Sequence, residues 1–370
     1  MGKPAPAITQ QHTVDQSPIK DQSGDKRPKE IFEEVHKLRI AEGLTDVLAD
    51  MGVKEWSIDD FEFLRKLGSG ASATVYQAKE KISGYQVALK VQEYDENEVS
   101  AVADVELDIH CDLDHPNVVN MIDYFFDDVP FGDESIDYDD EEKRYFYMIL
   151  ELCDKGSLFD VIDKKEEGWL EECDAVGYFR GCLNAVKYLH DNNLIHCDVK
   201  TANFLVDKNY NVKLADFGMT IRSNELEVLG GSPIFMAPEH LQAWRNEGKD
   251  FDYRVDIYGL GVTLFQMLVG DLPFYLIEND EDNKAADSLQ ALFGKLTLGD
   301  EPSGFNPARL DVRKLNEFSS KELFVLPPIS FPDSMSNGAR DLISRLMEPN
   351  RENRISISEA LEHVWFQSHM

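Results

Sequence analysis

Asp198, Asn203 and Asp216 lie close together in the stretch 194–219, LIHCDVKTANFLVDKNYNVKLADFGM. A carboxylate can take up a proton, and carboxylate and amide oxygens together suit a hard divalent cation. The short apolar runs 204–206 and 212–215 flank DKNYN, a pattern that predicts two strands paired through a tight turn. Such a hairpin sets Asn203 beside Asp216, so the three groups gather at one end of it.

Upstream, LGSGASATVY at 67–76 places Gly68 and Gly70 where a backbone could pass close to a phosphate, with Val75 positioned to cover a flat ring. An ordinary glycine hairpin accounts for the same residues. Fifteen residues after Val75 comes Lys90, at the end of VALK, whose amine would neutralise phosphate charge if a partner held it. Glu106, on a helix ending before DHPNVV, is the expected partner. A plain charged helix face explains a glutamate there equally well, and its spacing from His115 and Pro116 favours the pairing.

These groups need a scaffold. At 370 residues the chain exceeds what one core usually supports, so two lobes with extensions are expected. Residues 61–150 carry β-branched and aromatic runs, VVNMIDYFFDD among them, with one helix near 97–113. From about 155 the periodicity turns helical, most clearly in CDAVGYFRGCLNAVKYLHDN, VDIYGLGVTLFQMLVG and NGARDLISRLMEP. The expected fold class is α+β, a small β-rich lobe with one main helix followed by a larger helical lobe. Residues 1–28 have the composition of a disordered tail, and 29–60 read as a helical extension leading into WSIDDFEFL, which packs on the neighbouring β-rich lobe. Within the lobes, the acidic stretch 126–142 reads as a solvated loop that fails the calcium-loop spacing, and an insertion at about 278–330 has no readable structure.

The 37 Lys+Arg against 70 Asp+Glu leave a net charge of −33. That balance argues against nucleic acid and anionic membranes as partners and leaves basic proteins open, although a solvated acidic surface is the simpler account. Five cysteines, an odd number without C-x-x-C, fit a reducing intracellular compartment, cytoplasmic or nuclear. The first residues lack the apolar core of a signal peptide, Pro6 breaks a myristoylation pattern, and no run is long enough to span a bilayer.

In order and spacing, LGSGASATVY, VALK, Glu106, HCDVKTANFL, DFG at 216–218, GSPIFMAPE at 231–239, DIYGLG at 256–261 and Arg354 in NRENRIS resemble the eukaryotic protein kinases over about 61–367. The resemblance implies a bilobal kinase fold with an N-lobe at 61–150 and a C-lobe at 151–370. It also implies ATP and Mg²⁺ as cofactors, and protein substrates. Asp198 would accept the proton of the substrate hydroxyl or orient it, Lys200 would sit near the transferring phosphoryl group, and Asn203 and Asp216 would hold Mg²⁺. Lys90, paired with Glu106, would reach the phosphates under a loop of Leu67, Gly68 and Gly70. Val75, Ala88 and Leu205 would sandwich adenine, the backbone of Glu151 and Cys153 would hydrogen-bond it, and Leu150 would be the gatekeeper. DVKTAN and Ser232 resemble the Ser/Thr form of the family. WSIDDFEFLRKLG, the stretch 331–366 and His110, polar where most kinases place an apolar residue, are similar to the aurora kinases, with a calcium/calmodulin-kinase-like group as the alternative.

There are departures from the family pattern. Cys197 stands where the family usually has an Arg that pairs with a phosphorylated residue in the loop before APE. Activity is therefore expected not to require phosphorylation of that loop, which offers Thr220 and Ser223 before Ser232. Ala73 replaces a glycine of the phosphate loop, and Ser157 and Ala202 lack the acid that arginine-directed kinases often carry. A pseudokinase or an acidic scaffold is the competing class. The presence of Lys90, Glu106, Asp198, Asn203 and Asp216 together favours the enzyme.

Overall fold

The computed structural model describes residues 56–70, 73–94, 101–128, 131, 144–224, 230–244, 250–273 and 329–368. The tail at 1–28, the helices expected over 29–49, most of the acidic stretch 126–142 and nearly all of the insertion at 278–330 lie outside them. Contacts divide the chain into two units, Met1–Tyr94 with Ile122–Glu151, and Asp95–Met121 with Leu152–Met370.

The first unit is built on a five-stranded sheet of β1 (Phe61–Ser69), β2 (Thr74–Glu80), β3 (Gln86–Tyr94), β4 (Met121–Asp127) and β5 (Arg144–Glu151), in the order β1-β2-β3-β5-β4. The continuous apolar run of β3 suits its central place, since residues 87–92 are buried on both faces. Rings stack through the core, Trp56 at 5.7 Å from Phe61, Phe61 at 5.9 Å from Phe125, and Phe125 at 4.6 Å from Tyr147. Ser57 caps a 3-10 turn at Ile58–Asp60, and Trp56 Nε1 donates to Asp123 Oδ2 at 3.0 Å, so WSID packs on the sheet as expected.

Two expectations need correction. The run VVNMIDYFFDD is not one strand: β4 starts only at Met121, because Val118 bridges Leu214 and Val119 N donates to Leu214 O at 2.8 Å in the second unit. Phe131, inside the acidic stretch, is no solvated loop residue. It is buried edge-on against Phe63 at 5.8 Å and Tyr76 at 5.7 Å.

The second unit contains helices α1 (Ala101–Cys111), α2 (Leu158–Asp163), α3 (Glu172–Asp191), α4 (Pro238–Trp244), α5 (Arg254–Val269), α6 (Asn337–Leu346), α7 (Ile357–Leu361) and α8 (Val364–Gln367). It also holds two short strand pairs, β6 (Leu194–Ile195) with β9 (Ile221–Arg222) and β7 (Phe204–Val206) with β8 (Val212–Leu214). Ala175, Phe179, Cys182, Leu183, Val186 and Leu189 repeat at helical spacing and form the buried face of α3. Helix α5 is buried on every side from Val255 to Leu268, so it runs through the core rather than over it, and Gly270 ends it in the left-handed region at φ 77°. The Glu172 carboxylate accepts Ser336 N at 2.8 Å, Ser336 Oγ at 2.7 Å and Trp365 Nε1 at 2.7 Å, fastening α6 and α8 to the start of α3. Among the described residues no helix is long and apolar enough to cross a membrane.

Candidate active site

Residues 196–203 form a loop laid along α5. Asp256, buried in the first turn of that helix, accepts His190 Nε2 at 2.9 Å, His196 N at 2.8 Å and Cys197 N at 2.9 Å. Burial pushes its carboxyl upward, but the bond and charge of His190, with His196 beside it, outweigh burial and hold the group below the usual carboxylate range. Cys197 sits in the left-handed region at φ 64°, a conformation that side chains other than glycine rarely adopt. Its thiol is buried, and desolvation first, then Asp256 and Asp198, push it well up, so it stays protonated and unreactive.

Asp198 is the centre of the loop. Its Oδ2 lies 2.8 Å from Lys200 Nζ and accepts Asn203 Nδ2 at 3.0 Å, and its Oδ1 accepts Ser232 N at 2.8 Å. Lys200 Nζ also donates to Ser232 Oγ at 2.7 Å, tying the loop to GSPIF. Burial would raise Asp198. The charge and hydrogen bond of Lys200, then the bond from Ser232 and the charge of His196, more than offset it and hold the carboxyl low. The group is thus an anion at neutral pH.

The hairpin inferred from DKNYN is present, with Phe204 paired to Leu214, Leu205 to Lys213 and Val206 to Val212, and Tyr210 in the left-handed region at φ 65° in its turn. Ala215 N donates to Asn203 O at 2.8 Å, which brings Asp216 alongside Asn203. Asp216 is also left-handed, at φ 63°. Asn203 makes its side-chain bonds through Nδ2, to Asp198 O at 2.9 Å and to Asp198 Oδ2, leaving its amide oxygen able to accept a cation. A Cβ at Gly218 would stand 3.6 Å from Glu106 Oε2 and 3.7 Å from Asp216 Oδ1, so the buried Glu106 and the exposed Asp216 flank that glycine. An amide oxygen with one carboxylate fits Mg²⁺, which is usually held by one or two carboxylates plus substrate phosphates rather than by an all-protein cage. Among the described residues no group of three or more His, Cys, Asp or Glu side chains could hold a metal ion.

Phe217 packs on His110 at 4.6 Å and His196 at 5.6 Å, and His110 Nε2 lies 2.7 Å from Val119 O, so the polar residue at an apolar site has its hydrogen bond. Leu205 is on β7, and Cys153 is buried in the same unit.

The remaining candidates belong to the first unit. Gly68 pairs with Val75 across β1 and β2, and Gly70 N donates to Ala73 O at 2.8 Å, so the glycine-rich segment is a hairpin. A Cβ at Gly68 would meet nothing within 4 Å among the described residues. Register sets Lys90 between Val75 and Met148, Ala88 opposite Leu150, and Val87 opposite Glu151, which places Val75, Ala88, Lys90, Leu150 and Glu151 on three adjacent strands. Lys90 is buried, whereas Leu67 on β1 is exposed.

His196, Gly231 and Asp256 open HCDVKTANFL, GSPIFMAPE and DIYGLG, but only their burial and contacts say what they hold.

Residues 61–366 match the model of the protein kinase domain. The chain belongs to the protein kinase family. The relatives it resembles include aurora kinases and a serine/threonine kinase. It is 28% identical over 318 residues to "Aurora kinase" of Patiria pectinifera, covering 85% of this chain and 64% of that one. Against "Aurora kinase" of Dictyostelium discoideum it is 28% identical over 321 residues, 85% and 68% of the two chains. Against the "Probable serine/threonine-protein kinase KIN1 homolog" of Enterocytozoon bieneusi it is 34% identical over 226 residues, 60% of this chain and 34% of that one. The chain thus spans less than two thirds of the Patiria and Enterocytozoon relatives.

Proposed function

We propose that this chain transfers the γ-phosphoryl group of Mg²⁺-bound ATP to serine or threonine hydroxyls of protein substrates, without needing a phosphate on its own activation loop. The observation that carries the first part is Asp198, an anion held in place by Lys200, Asn203 and Ser232. In the step, a bond forms between the hydroxyl oxygen and the γ-phosphorus as the bond to the β,γ-bridging oxygen breaks. The hydroxyl proton passes to Asp198. Lys200, already at Ser232 Oγ, stabilises the transferring group's charge. Asn203 and Asp216 would hold the Mg²⁺, which supplies charge neutralisation on the phosphates. Lys90, with Glu106 as its proposed partner, would serve the same phosphates, and Leu67, Gly68, Gly70, Val75, Ala88, Leu150, Glu151, Cys153 and Leu205 would enclose the nucleotide.

The second part rests on how the activation segment is attached. A Cβ at Gly231, whose φ is 131°, would come within 2.6 Å of Cys197 O, so backbone packs on backbone at the residue that stands in place of the family's arginine. β6 pairs with β9, and Ser223 N donates to Asn193 O at 2.9 Å. Arg222 meets Asp108 of α1 at 2.6 Å, an exposed pair of modest weight. These contacts use no phosphate.

The organisation we propose places the N-lobe at 61–150 and the C-lobe at 151–370. The net charge of −33 favours basic protein substrates and partners, and none of the five cysteines is in a disulfide, which suits a reducing, intracellular compartment. The test is radiolabelled phosphate transfer from Mg·ATP to a basic protein, comparing the untreated chain, a phosphatase-treated sample and Asp198→Asn. Transfer by the first two and loss in the third is expected. Equal signal from Asp198→Asn removes the enzymatic reading, and near-complete loss on phosphatase treatment removes the claim about the activation loop.

A further inference from the structure

The catalytic loop meets helix α5 at three levels. Asp256 holds the backbone of His196 and Cys197. A Cβ at Gly259 would stand 2.8 Å from Val199 O, so the helix and loop backbones touch there. Further along, Thr201 Oγ1 donates to Gln266 Oε1 at 2.6 Å, with the two residues only 1% and 3% exposed. The first two contacts fix the chain ahead of Asp198 and Lys200. The third holds the segment beyond them.

That segment is a 3-10 turn, Thr201–Asn203, preceded by Lys200 and closed by Asn203 N donating to Lys200 O at 3.0 Å. The Lys200 side chain makes no capping hydrogen bond to the turn, and a turn of this length has little stability of its own. Both groups that bind Asp198 Oδ2 stand at its two ends, Lys200 before and Asn203 within. We infer that the buried Thr201–Gln266 hydrogen bond is the positioning device that keeps Lys200 and Asn203 in register with Asp198 during phosphoryl transfer. Gln266 suits the task because a neutral amide can be buried in α5 without a counter-ion, where a carboxylate would add a third buried anion beside Asp198 and Asp256. Without the threonine hydroxyl, the Gln266 oxygen loses its partner and the turn is free to shift. A displacement of about 1 Å is enough to slow a reaction that depends on alignment.

This inference rests on the proposed kinase activity, and the experiment separates the two. Full-length Thr201→Val, Thr201→Ser, Gln266→Leu, the Val/Leu double variant and Asp198→Asn are compared for kcat, KM for ATP and hydrogen exchange of the peptide spanning 198–206. Thr201→Val is expected to lower kcat about tenfold with KM for ATP within about twofold, and to speed exchange in that peptide ahead of the rest of the chain. Thr201→Ser restores kcat to within about threefold, and the double variant is no slower than the slower single, since both remove one bond. A Thr201→Val rate within about twofold of the parent, while Asp198→Asn is dead, overturns the inference and leaves the kinase assignment standing. So does additive loss in the double variant, or exchange that rises evenly through the whole chain. Activity in Asp198→Asn equal to the parent overturns the kinase assignment itself. If Thr201→Val does not fold, Gln266→Asn, one methylene too short to reach, is judged by the same criteria.

Discussion

The catalytic loop and the glycine-rich hairpin are both short segments assigned to one reaction, yet they are held in opposite ways. Around 196–203 nearly every residue is bonded to something distant, from Asp256 at one end to Gln266 at the other, with Ser232 between. Around 67–76 the strand ends are held, Thr74 to Tyr76 by β1 and β3 and the Tyr76 ring by Phe63 and Phe131, whereas towards the tip a Cβ at Gly68 would meet no described atom within 4 Å. The contrast teaches where pre-organisation is needed. On the proposed reaction, charged groups that must not move relative to one another would be fixed by the protein before any ligand arrives, whereas the segment proposed to cover the nucleotide would be left for it to complete.

The sharpest way to break that contrast is Asp198→Asn. It should lower kcat by about 10³-fold and leave ATP affinity nearly unchanged, read by steady-state kinetics beside a nucleotide-binding titration. A large loss of affinity instead would mean that the loop binds nucleotide rather than performing the chemistry. Next comes Gly231→Ala, where the added carbon meets Cys197 O at 2.6 Å in a left-handed backbone. A drop of about 2 kcal/mol in unfolding free energy and at least a tenfold fall in kcat are expected. An unchanged denaturation midpoint would show that the loop yields easily.

A pH series examines the same anchoring from another side. The Asp256 carboxyl is held below its ordinary value, with burial opposed by His190 and His196. Its contribution to stability is therefore present above the unfolded carboxyl value of about 3.9 and is lost as pH falls through the depressed folded value. Between pH 6 and pH 3 the parent should lose stability more steeply than Asp256→Asn in denaturant titrations, and parallel curves would refute this. The smallest effect belongs to the open hairpin. Gly68→Ala should leave the melting temperature of the ligand-free protein unchanged and raise KM for ATP by only about two- to fivefold. A large loss of ligand-free stability would mean that the hairpin is packed after all.

Several elements were legible in the chain because their signals are local. The β7–β8 hairpin follows from two apolar runs around DKNYN, and α3 and α6 follow from apolar spacing, whereas α5, expected to be amphipathic, is buried all round. VVNMIDYFFDD misled because Val118 and Val119 find their backbone partners at Leu214, far along the chain, so an apparently uniform strand is divided between two units. Phe131 misled because the charge around it pointed to solvent, while its ring packs edge-on against the touching pair Phe63 and Tyr76. In the site, the identities of Asp198, Lys200, Asn203 and Asp216 were readable from type and spacing. Their supports were not, since nothing near Thr201 names Gln266.

By itself the sequence determined which chemical groups this chain carries, the order in which they come, and the periodicities that make sheet first and helix afterwards, because propensity and patterning act over a few neighbouring residues. Only the tertiary structure decided that Ser232 would meet Asp198 across 34 residues and Gln266 would meet Thr201 across 65. Those pairings depend on how whole elements pack, and burial in that packing makes a hydrogen bond strong enough to hold a catalytic group in place.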